Sequence, residues 1–553
     1  MPQGQAIIKK VIKMVQTSKR ILSLYMLFTA CFMAILARIV YINFSTYATA
    51  GESQATRTVI VGTSRGKIYD RNGGLLVDES ERLVAAVTPV VTAKSQLESV
   101  FQGEGLQEKI EKGYPFVASV KREINTELIK TFRVPLRYYE GSLACHTVGY
   151  TDYSSKGVSG IEKAYEGFLS EHSGKLSVTF EVDALGRVLA GMDKTVKDDN
   201  FNSKAGVVLT LDKDIQKIAE TAMEESGIGG GCAVVMDADT QEILALASVP
   251  TFDRNNVESS LSDENSPLVN KALESYSAGS VFKSIIAAYA LECGIGEELI
   301  YECKGTITVG DKEFSCPSGK AHGELDMSGA LQNSCNLWFI NLTDMLDREG
   351  LLNFCRDLGF GRSIALCDGM FTQTGLLPDE INLSIEGNRA NFSFGQGDLL
   401  VTPLQLAKAY CTVATGFESE PRLIYGFADA DGNIKEEKPG RRNRLLSEST
   451  AEKMRQMLYD VTEKGIATNA RSEEVSLAGK TGTAESGVFT ESGEQIYRTW
   501  YAGFWPYGNP KYVVVVMNED GAGGNADCAP VAREIAESVC GLPVAAAEGS
   551  SDY

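Results

Sequence analysis

Histidine is scarce in this sequence, and the familiar zinc-binding spacings are missing. Only His146, His172 and His322 occur among the 553 residues, and neither C-x-x-C nor H-E-x-x-H is present. Zinc sites in enzymes and small domains usually carry one of these spacings. We therefore expect no metal and no cofactor, and the sequence argues against a metal hydrolase.

Clusters of basic residues are lacking after residue 50. The formal net charge of the chain is −20, and residues 1–50 carry six basic residues and no acid, which leaves −26 for the remainder. A nucleic-acid-binding surface needs clustered Lys and Arg. Nucleic acid is therefore not an expected partner, and the acidic excess fits an exposed, soluble portion of the protein.

The N-terminal region contains a long apolar run. Residues 21–37 are uncharged, and Ile39–Ile42 extends the run past Arg38. Because this length can span a bilayer and five basic residues precede it, we predict a cytoplasmic tail over 1–20 and a transmembrane anchor over 21–43. The rest of the chain would lie outside the cell membrane. A cleaved signal peptide is the alternative, since Ala48-Thr49-Ala50 resembles a cleavage site.

The chain contains 12 cysteines, of which only Cys31 lies in the apolar run. The eleven others cannot all pair in an exported domain. Cys303 and Cys316 flank a predicted hairpin with a turn at Gly310-Asp311, so these two could form a disulfide.

Three short motifs occur in a fixed order. They are Ser280-Val281-Phe282-Lys283, Ser334-Cys335-Asn336 and Lys480-Thr481-Gly482-Thr483. This order and these residue types match the S-x-x-K, S-x-N and K-T-G set of enzymes that transfer acyl groups through a serine.

The first motif fits an activated nucleophile. A serine needs a base within hydrogen-bond reach before it can attack an amide. The apolar, proline-free stretch Val281–Cys293 predicts a buried helix, and residues three apart share a helical face, so Ser280 and Lys283 should touch. Burial should also lower the pKa of the lysine, which favours its role as a base.

The other two motifs supply polar groups for a peptide. Ser334 and Asn336 are expected on one side of an extended or turn segment, where the hydroxyl can relay a proton and the amide can bind a peptide backbone. We predict a strand for Lys480–Thr483, with hydroxyls for a carboxylate and with Gly482 leaving room for substrate backbone.

The serine–lysine spacing alone has little weight, because it occurs a second time. Ser64-Arg65-Gly66-Lys67 has the same spacing in a glycine-interrupted, strand-like stretch with no helix behind it. We interpret that copy as structural.

The pattern of elements indicates an α+β protein. Residues 44–205 are rich in strand-forming residues, with helical stretches predicted around Ala93–Lys112 and Val117–Phe132. Residues 206–543 alternate helix and strand, beginning with a helix at Asp212–Ser226 and strands at Cys232–Asp237 and Glu242–Ser248. We expect a central antiparallel sheet flanked by helices. The small polar tail 544–553 is predicted to be disordered.

The chain resembles the class B penicillin-binding proteins, which are monofunctional peptidoglycan D,D-transpeptidases. Besides the three motifs, Arg65–Gly73 and Ser159–Glu166 resemble signatures of the pedestal domain of that family. The resemblance implies an N-terminal transmembrane helix, a strand-rich pedestal over 44–205 and a penicillin-binding, serine β-lactamase-like transpeptidase domain over 206–543.

The resemblance also assigns roles to the motif residues. Ser280 would be the acylated nucleophile, Lys283 its base, and Ser334 and Lys480 the proton path to the leaving amine. The substrate-binding residues would be Asn336, Thr481, Gly482 and Thr483. The implied partners are stem peptides ending in D-Ala-D-Ala, β-lactams and a membrane glycosyltransferase.

Three alternatives remain open at this point. A membrane-anchored serine β-lactamase, a β-lactam sensor and a noncatalytic pedestal scaffold could each account for part of the pattern. The first two would keep the nucleophile, whereas a scaffold would not require all three motifs.

Overall fold

The computed structural model describes residues 3–44, 56–490 and 493–542. The possible cleavage site at 48–50 and the tail 544–553 lie outside the described residues. The chain divides into two compact units. The first comprises Met1–Ser64, Glu81–Val134 and Gly174–Asn202, and the second comprises Arg65–Ser80, Pro135–Ser173 and Ser203–Tyr553. Residues 65–80, 135–173 and 203–205 of the predicted pedestal thus belong to the second unit.

The N-terminal element is a single helix, Gln3–Phe44. Its stretch Gly4–Ile42 is long and apolar enough to cross a membrane, and none of its most apolar window is buried in the protein. The predicted anchor 21–43 lies within this helix. The helix begins earlier than the anchor because Lys, Gln and Met, which precede the apolar run, are good helix formers.

The first unit contains two antiparallel sheets. One has the strand order Thr56–Ser64, Gly174–Glu181, Thr195–Asp199. The other has the order Phe101–Gln102, Phe116–Val120, Ser80–Val87, Ile129–Leu136, and helices Val91–Leu97 and Leu106–Glu111 accompany it. The prediction of a helix over 117–132 is wrong. Its two ends belong to the strands Phe116–Val120 and Ile129–Leu136, and residues 121–128 connect them.

A five-stranded antiparallel sheet forms the centre of the second unit. Its strand order is Ile243–Val249, Gly231–Asp237, Tyr512–Asn518, Gln495–Trp505, Ala478–Phe489. Every residue from Val513 to Asn518 is buried, which means that both faces of the sheet are covered. The predicted α+β architecture is confirmed.

Two of the helices that pack on the central sheet begin at capping residues that are recognisable in the sequence. Asp212 caps helix Lys213–Glu225 by accepting hydrogen bonds from the backbone of Asp214 and Ile215. This helix packs against the sheet together with Gly524–Cys540. The helix Pro403–Thr415, buried from Pro403 to Ala414, also packs on the sheet and begins with a capping box at Thr402.

The remaining elements of the second unit are shorter or more peripheral. Its further helices are Cys145–Val148, Gly160–Ala164, Glu166–Glu171, Lys283–Glu292, Met327–Gln332, Asn336–Asp344, Arg348–Asp357, Glu380–Ser384, Glu386–Phe392 and Glu448–Lys464, with 3-10 turns at Val257–Ser260, Lys271–Leu273, Gly279–Phe282, Pro317–Gly319 and Thr468–Ala470. A four-stranded sheet has the order Lys67–Tyr69, Gly206–Leu209, Ile424–Ala428, Ile434–Glu436. The two-stranded pairs are Tyr276–Ser277 with Leu400–Val401, Tyr301–Cys303 with Gly323–Leu325, Thr306–Val309 with Lys312–Ser315, Ala365–Cys367 with Met370–Phe371, and Phe417–Glu418 with Asn443–Arg444.

A buried ionic network joins the two pedestal-like signature segments. Glu162 is fully buried and pairs with Arg65 at 2.8 Å and with Arg137 at 2.7 Å. The Tyr138 hydroxyl donates a third hydrogen bond to the same carboxylate. Burial tends to raise the pKa of Glu162, but the positive charges of Arg137 and Arg65 outweigh it and hold the pKa below its ordinary value.

We expect Glu162→Gln to lower the free energy of unfolding by about 3 kcal/mol at neutral pH, because Arg65 and Arg137 each lose a buried carboxylate partner and keep Glu166 and Asp78, respectively. The contribution of Glu162 should disappear as the pH falls through its lowered pKa. Urea unfolding followed by tryptophan fluorescence measures the effect. Glu166→Gln is the control, since Glu166 is 29% exposed and its one ion pair within the described part of the chain is with Arg65. Equal losses in the two variants would contradict the prediction.

Candidate active site

Ser280 lies in a tight turn at the start of a buried helix. A 3-10 turn covers Gly279–Phe282, and the α-helix follows at Lys283–Glu292, so the predicted helix is confirmed except for its first turn. The turn is held by side chains from distant elements. Trp500 Nε1 donates to the Ser277 carbonyl at 3.0 Å, and the Tyr410 hydroxyl donates to the Val281 carbonyl at 2.9 Å. Sequence reasoning missed both residues, because neither belongs to a motif.

The fully buried Lys283 ammonium contacts the second motif. Its Nζ donates to the Ser334 carbonyl at 2.7 Å, to Asn336 Oδ1 at 2.6 Å and to Ser334 Oγ at 3.2 Å. Each of the three N–H groups of the ammonium thus has an oxygen acceptor. Within the described residues, no hydrogen bond joins Lys283 Nζ to the half-buried Ser280 hydroxyl. The direct hydrogen bond between Ser280 and Lys283 that the sequence predicts is therefore absent. The ammonium donates its three hydrogen bonds to oxygens of the second motif instead.

Ser334 lies between two buried lysines. Its Oγ accepts from Lys480 Nζ at 3.0 Å as well as from Lys283. Lys480 is fully buried and also donates to the Thr481 carbonyl. Burial, with a smaller effect of the Lys283 charge, holds the pKa of Lys480 well below its ordinary value. A hydroxyl between two amines can accept a proton from one side and donate on the other.

The backbone of Ser334 is strained. Its φ is +51°, in the left-handed region that non-glycine residues rarely adopt. The residue ends the turn after helix Met327–Gln332, and helix Asn336–Asp344 begins two residues later. Such strain costs roughly 1–3 kcal/mol and is found mostly at functional sites. Here it directs the Ser334 hydroxyl between the two lysines.

The oxygen and the nitrogen of the Asn336 side-chain amide both form hydrogen bonds. Its Oδ1 accepts from Lys283, and its Nδ2 donates to the Ser315 carbonyl at 2.8 Å. One N–H of the amide remains for another acceptor. Asn336 therefore positions Lys283 in addition to the peptide-binding role that the sequence predicts.

The third motif lies on a strand, as predicted, and this strand is at an edge of the central sheet. Lys480–Thr483 belongs to strand Ala478–Phe489, in which Thr481 is buried and Thr483 is exposed. A Cβ at Gly482 would lie 3.1 Å from the Ala278 carbonyl oxygen and 3.3 Å from the Val281 nitrogen. Gly482 thus makes room for the turn that carries Ser280.

Gly395 fixes the other side of the nucleophile turn. Its φ is +77°, and a Cβ there would lie 2.1 Å from the Gly279 carbonyl oxygen. The Gly279 amide donates to the Gly395 carbonyl at 2.8 Å. Only glycine satisfies both the conformation and the close approach.

Burial lowers the pKa of Lys283 to about 7, and the nearby Cys335 and Cys316 thiols oppose this only in part. A base acts in its neutral form, so the rate of serine acylation should rise with pH through a midpoint at about 7. Stopped-flow acylation by a β-lactam measures the profile. A rate that does not change between pH about 5.5 and about 8.5 would exclude Lys283 as the base.

The structure brings together four side chains that sequence reasoning did not connect. Cys303, Cys316, Cys335 and His322 place their Sγ and ring nitrogen atoms within 4.8 Å of one another. The expectation of no metal ligands, based on spacing, did not foresee this cluster, because its members come from separate loops and strands. The possible Cys303–Cys316 disulfide is not formed: both thiols are free, with their sulfurs 3.6 Å apart.

Comparisons with known proteins cover all three motifs. A family model described as the penicillin binding protein transpeptidase domain matches residues 231–537. The chain is 28% identical to Stage V sporulation protein D of Bacillus subtilis over 94% of this chain and 85% of that protein. It is 26% identical to the peptidoglycan D,D-transpeptidase FtsI of Escherichia coli, over 87% of this chain and 84% of that protein.

A solved structure of a penicillin-binding protein also resembles this chain. The crystal structure of penicillin-binding protein 3 from Mycobacterium tuberculosis in complex with aztreonam aligns with a TM-score of 0.63 and 25% identity. The alignment covers 88% of this chain and 97% of that chain.

Proposed function

The chain belongs to the penicillin-binding protein transpeptidase family, and from this we propose that it is a peptidoglycan D,D-transpeptidase that cross-links stem peptides through an acyl-enzyme on Ser280. The observation that carries the proposal is the convergence of Lys283, Ser334 and Lys480 beside the Ser280 turn. This arrangement provides a nucleophile, a buried base and a proton path, as serine acyl transfer requires.

In the proposed reaction, the Ser280 oxygen attacks the carbonyl of the penultimate D-alanine and its proton passes to Lys283. The proton then travels through Ser334, supported by Lys480, to the leaving terminal D-alanine. The acyl-enzyme is resolved when the amine of a second stem peptide attacks it, which regenerates Ser280. The contact between Ser280 and Lys283 would tighten when substrate binds, as catalytic hydrogen bonds often do.

Substrate recognition follows from the third motif. We assign Thr481 and Thr483 to the terminal carboxylate of the donor peptide or of a β-lactam, and the remaining amide N–H of Asn336 to the peptide backbone. The Thr483 carbonyl oxygen lies 3.0 Å from the Cβ position of Gly279, so the strand runs close to the nucleophile. The Ser280 and Thr483 amides can then stabilise the oxyanion, an effect of roughly 3–4 kcal/mol per donor.

We further propose that helix Gln3–Phe44 anchors the chain in the cell membrane with its N-terminus in the cytoplasm, since five basic residues precede the apolar run. By family resemblance, the partner would be a membrane glycosyltransferase that makes the glycan strands. Co-purification of such an enzyme with the full-length chain, and not with a chain lacking residues 1–44, tests this assignment.

The lifetime of a penicillin adduct tests the proposed activity. Full-length protein in detergent is incubated with a penicillin, and its intact mass is followed over hours, with peptide mapping of the modified serine. A long-lived adduct on Ser280 is expected, together with cross-linking of stem peptides by the drug-free protein. Rapid release of hydrolysed drug would indicate a β-lactamase. An adduct without cross-linking would indicate a sensor, and no adduct on a folded protein would indicate a scaffold.

A further inference from the structure

We propose that Cys303, Cys316, His322 and Cys335 bind a single zinc ion that positions the second catalytic motif. The proposal rests on the geometry of these side chains and does not depend on the proposed activity. No motif used for the transpeptidase reaction includes Cys303, Cys316 or His322.

The spacing of the four donor atoms fits tetrahedral coordination. The Sγ atoms of Cys303 and Cys316 lie 3.6 Å apart, as do those of Cys316 and Cys335, and Cys303 Sγ lies 3.4 Å from His322 Nδ1. A zinc ion with Zn–S bonds of about 2.3 Å holds its sulfurs about 3.8 Å apart. Three thiolates and one imidazole are a common structural zinc set.

The surroundings favour thiolates. The three cysteines are at most 1% exposed. The Trp338 amide, in the first turn of helix Asn336–Asp344, donates a hydrogen bond to Cys335 Sγ. Hydrogen bonds from amides at a helix N-terminus stabilise negative charge.

A disulfide explains the cluster less well. Its two sulfurs would lie about 2.05 Å apart, whereas Cys316 is equally distant from Cys303 and from Cys335. Either pairing would leave one buried cysteine and the histidine unexplained. A shared ion accounts for the convergence of all four side chains.

The position of Cys335 gives the ion a role in the site. Cys335 stands between Ser334, whose hydroxyl contacts both lysines, and Asn336, which holds Lys283. The ion would tie this segment to strand Tyr301–Cys303 and to Cys316, which follows the hairpin strand Lys312–Ser315. Such a tie would help to maintain the left-handed backbone of Ser334. Cys335 is thus a positioning residue.

Metal analysis of the full-length protein tests the proposal. The protein is purified with a tag that contains no histidine and without added metal, and its metals are quantified by plasma mass spectrometry. We expect stoichiometric zinc. Substitution with Co²⁺ should produce thiolate-to-cobalt charge-transfer bands and the d–d bands of a tetrahedral site. Absence of stoichiometric metal from reduced, zinc-supplemented protein would overturn the proposal, as would a disulfide among these cysteines in freshly isolated protein.

Matched variants test which side chains bind the zinc ion. Cys303→Ser and His322→Ala should lose zinc, and His322→Cys should retain it with a cobalt spectrum of four thiolates. Cys367→Ser is the control, because Cys367 is a half-buried cysteine outside the cluster, and it should keep the metal. Zinc retained in full by Cys303→Ser and His322→Ala would refute the assignment.

Removal of zinc with a chelator tests whether the ion positions the second catalytic motif. Removing zinc should lower the melting temperature and slow acylation of Ser280, and added zinc should restore both. If the zinc-loaded protein never forms an acyl-enzyme, the proposed activity fails while the metal site stands. If acylation proceeds equally well without zinc, the positioning role is refuted.

Discussion

Ser280→Ala should abolish penicillin labelling and reduce peptide cross-linking by roughly six orders of magnitude, because loss of the nucleophile removes the covalent route. The fold should persist, since Trp500 and Tyr410 hold the turn through backbone carbonyls and not through the Ser280 hydroxyl. Labelling with a fluorescent penicillin and the melting temperature of the variant measure the two effects separately.

The second serine–lysine pair of the chain provides a matched control. Ser64 ends strand Thr56–Ser64, and Lys67 pairs with Asp78 at 3.0 Å. Ser64→Ala should label like the unmodified protein. A stable adduct on the Ser280→Ala protein, or loss of labelling in Ser64→Ala at unchanged stability, would overturn the assignment of Ser280.

Ser334→Gly should reduce acylation and cross-linking by about 10²–10⁴-fold, the usual contribution of a group that transfers a proton. Ser334→Ala should lose the same activity, because both variants remove the hydroxyl between Lys283 and Lys480. Their stabilities should differ, since glycine adopts φ near +51° without a steric penalty and alanine does not.

We expect Ser334→Gly to be more stable than Ser334→Ala by about 1 kcal/mol, the steric cost of the left-handed conformation less the extra entropy of glycine. Urea unfolding measures the stability difference, and penicillin labelling measures the activity. Equal stabilities would show that the backbone strain at Ser334 is negligible. Unchanged activity in both variants would remove Ser334 from the proton path.

The motifs alone indicated the reaction class. Serine acyl transfer demands few residue types, and their order along the chain, from Ser280 through Ser334 to Lys480, is visible without a fold. The helix after Ser280, the strand of Lys480 and the helix capped by Asp212 were predictable, because apolar runs and caps are local signals.

Contacts between distant parts of the chain were not predictable. The segment 117–132 contains residues that suit either a short helix or a strand, and only pairing partners made its two ends strands. Lys283 was expected to contact Ser280 from its own helix, but its ammonium binds oxygens some fifty residues away. The close approach of Gly482 to the Ser280 turn also depends on two segments about two hundred residues apart, so no local signal predicts it.

The sequence by itself therefore determined the chemistry of this protein, the apolar N-terminal segment and most of the regular elements, because each depends on residue types at short spacing. Only the tertiary structure decided which atoms meet. It placed Ser334 between two buried lysines and brought Cys303, Cys316, His322 and Cys335 into one cluster. Such contacts depend on chain folding over long separations, and no spacing along the sequence records them.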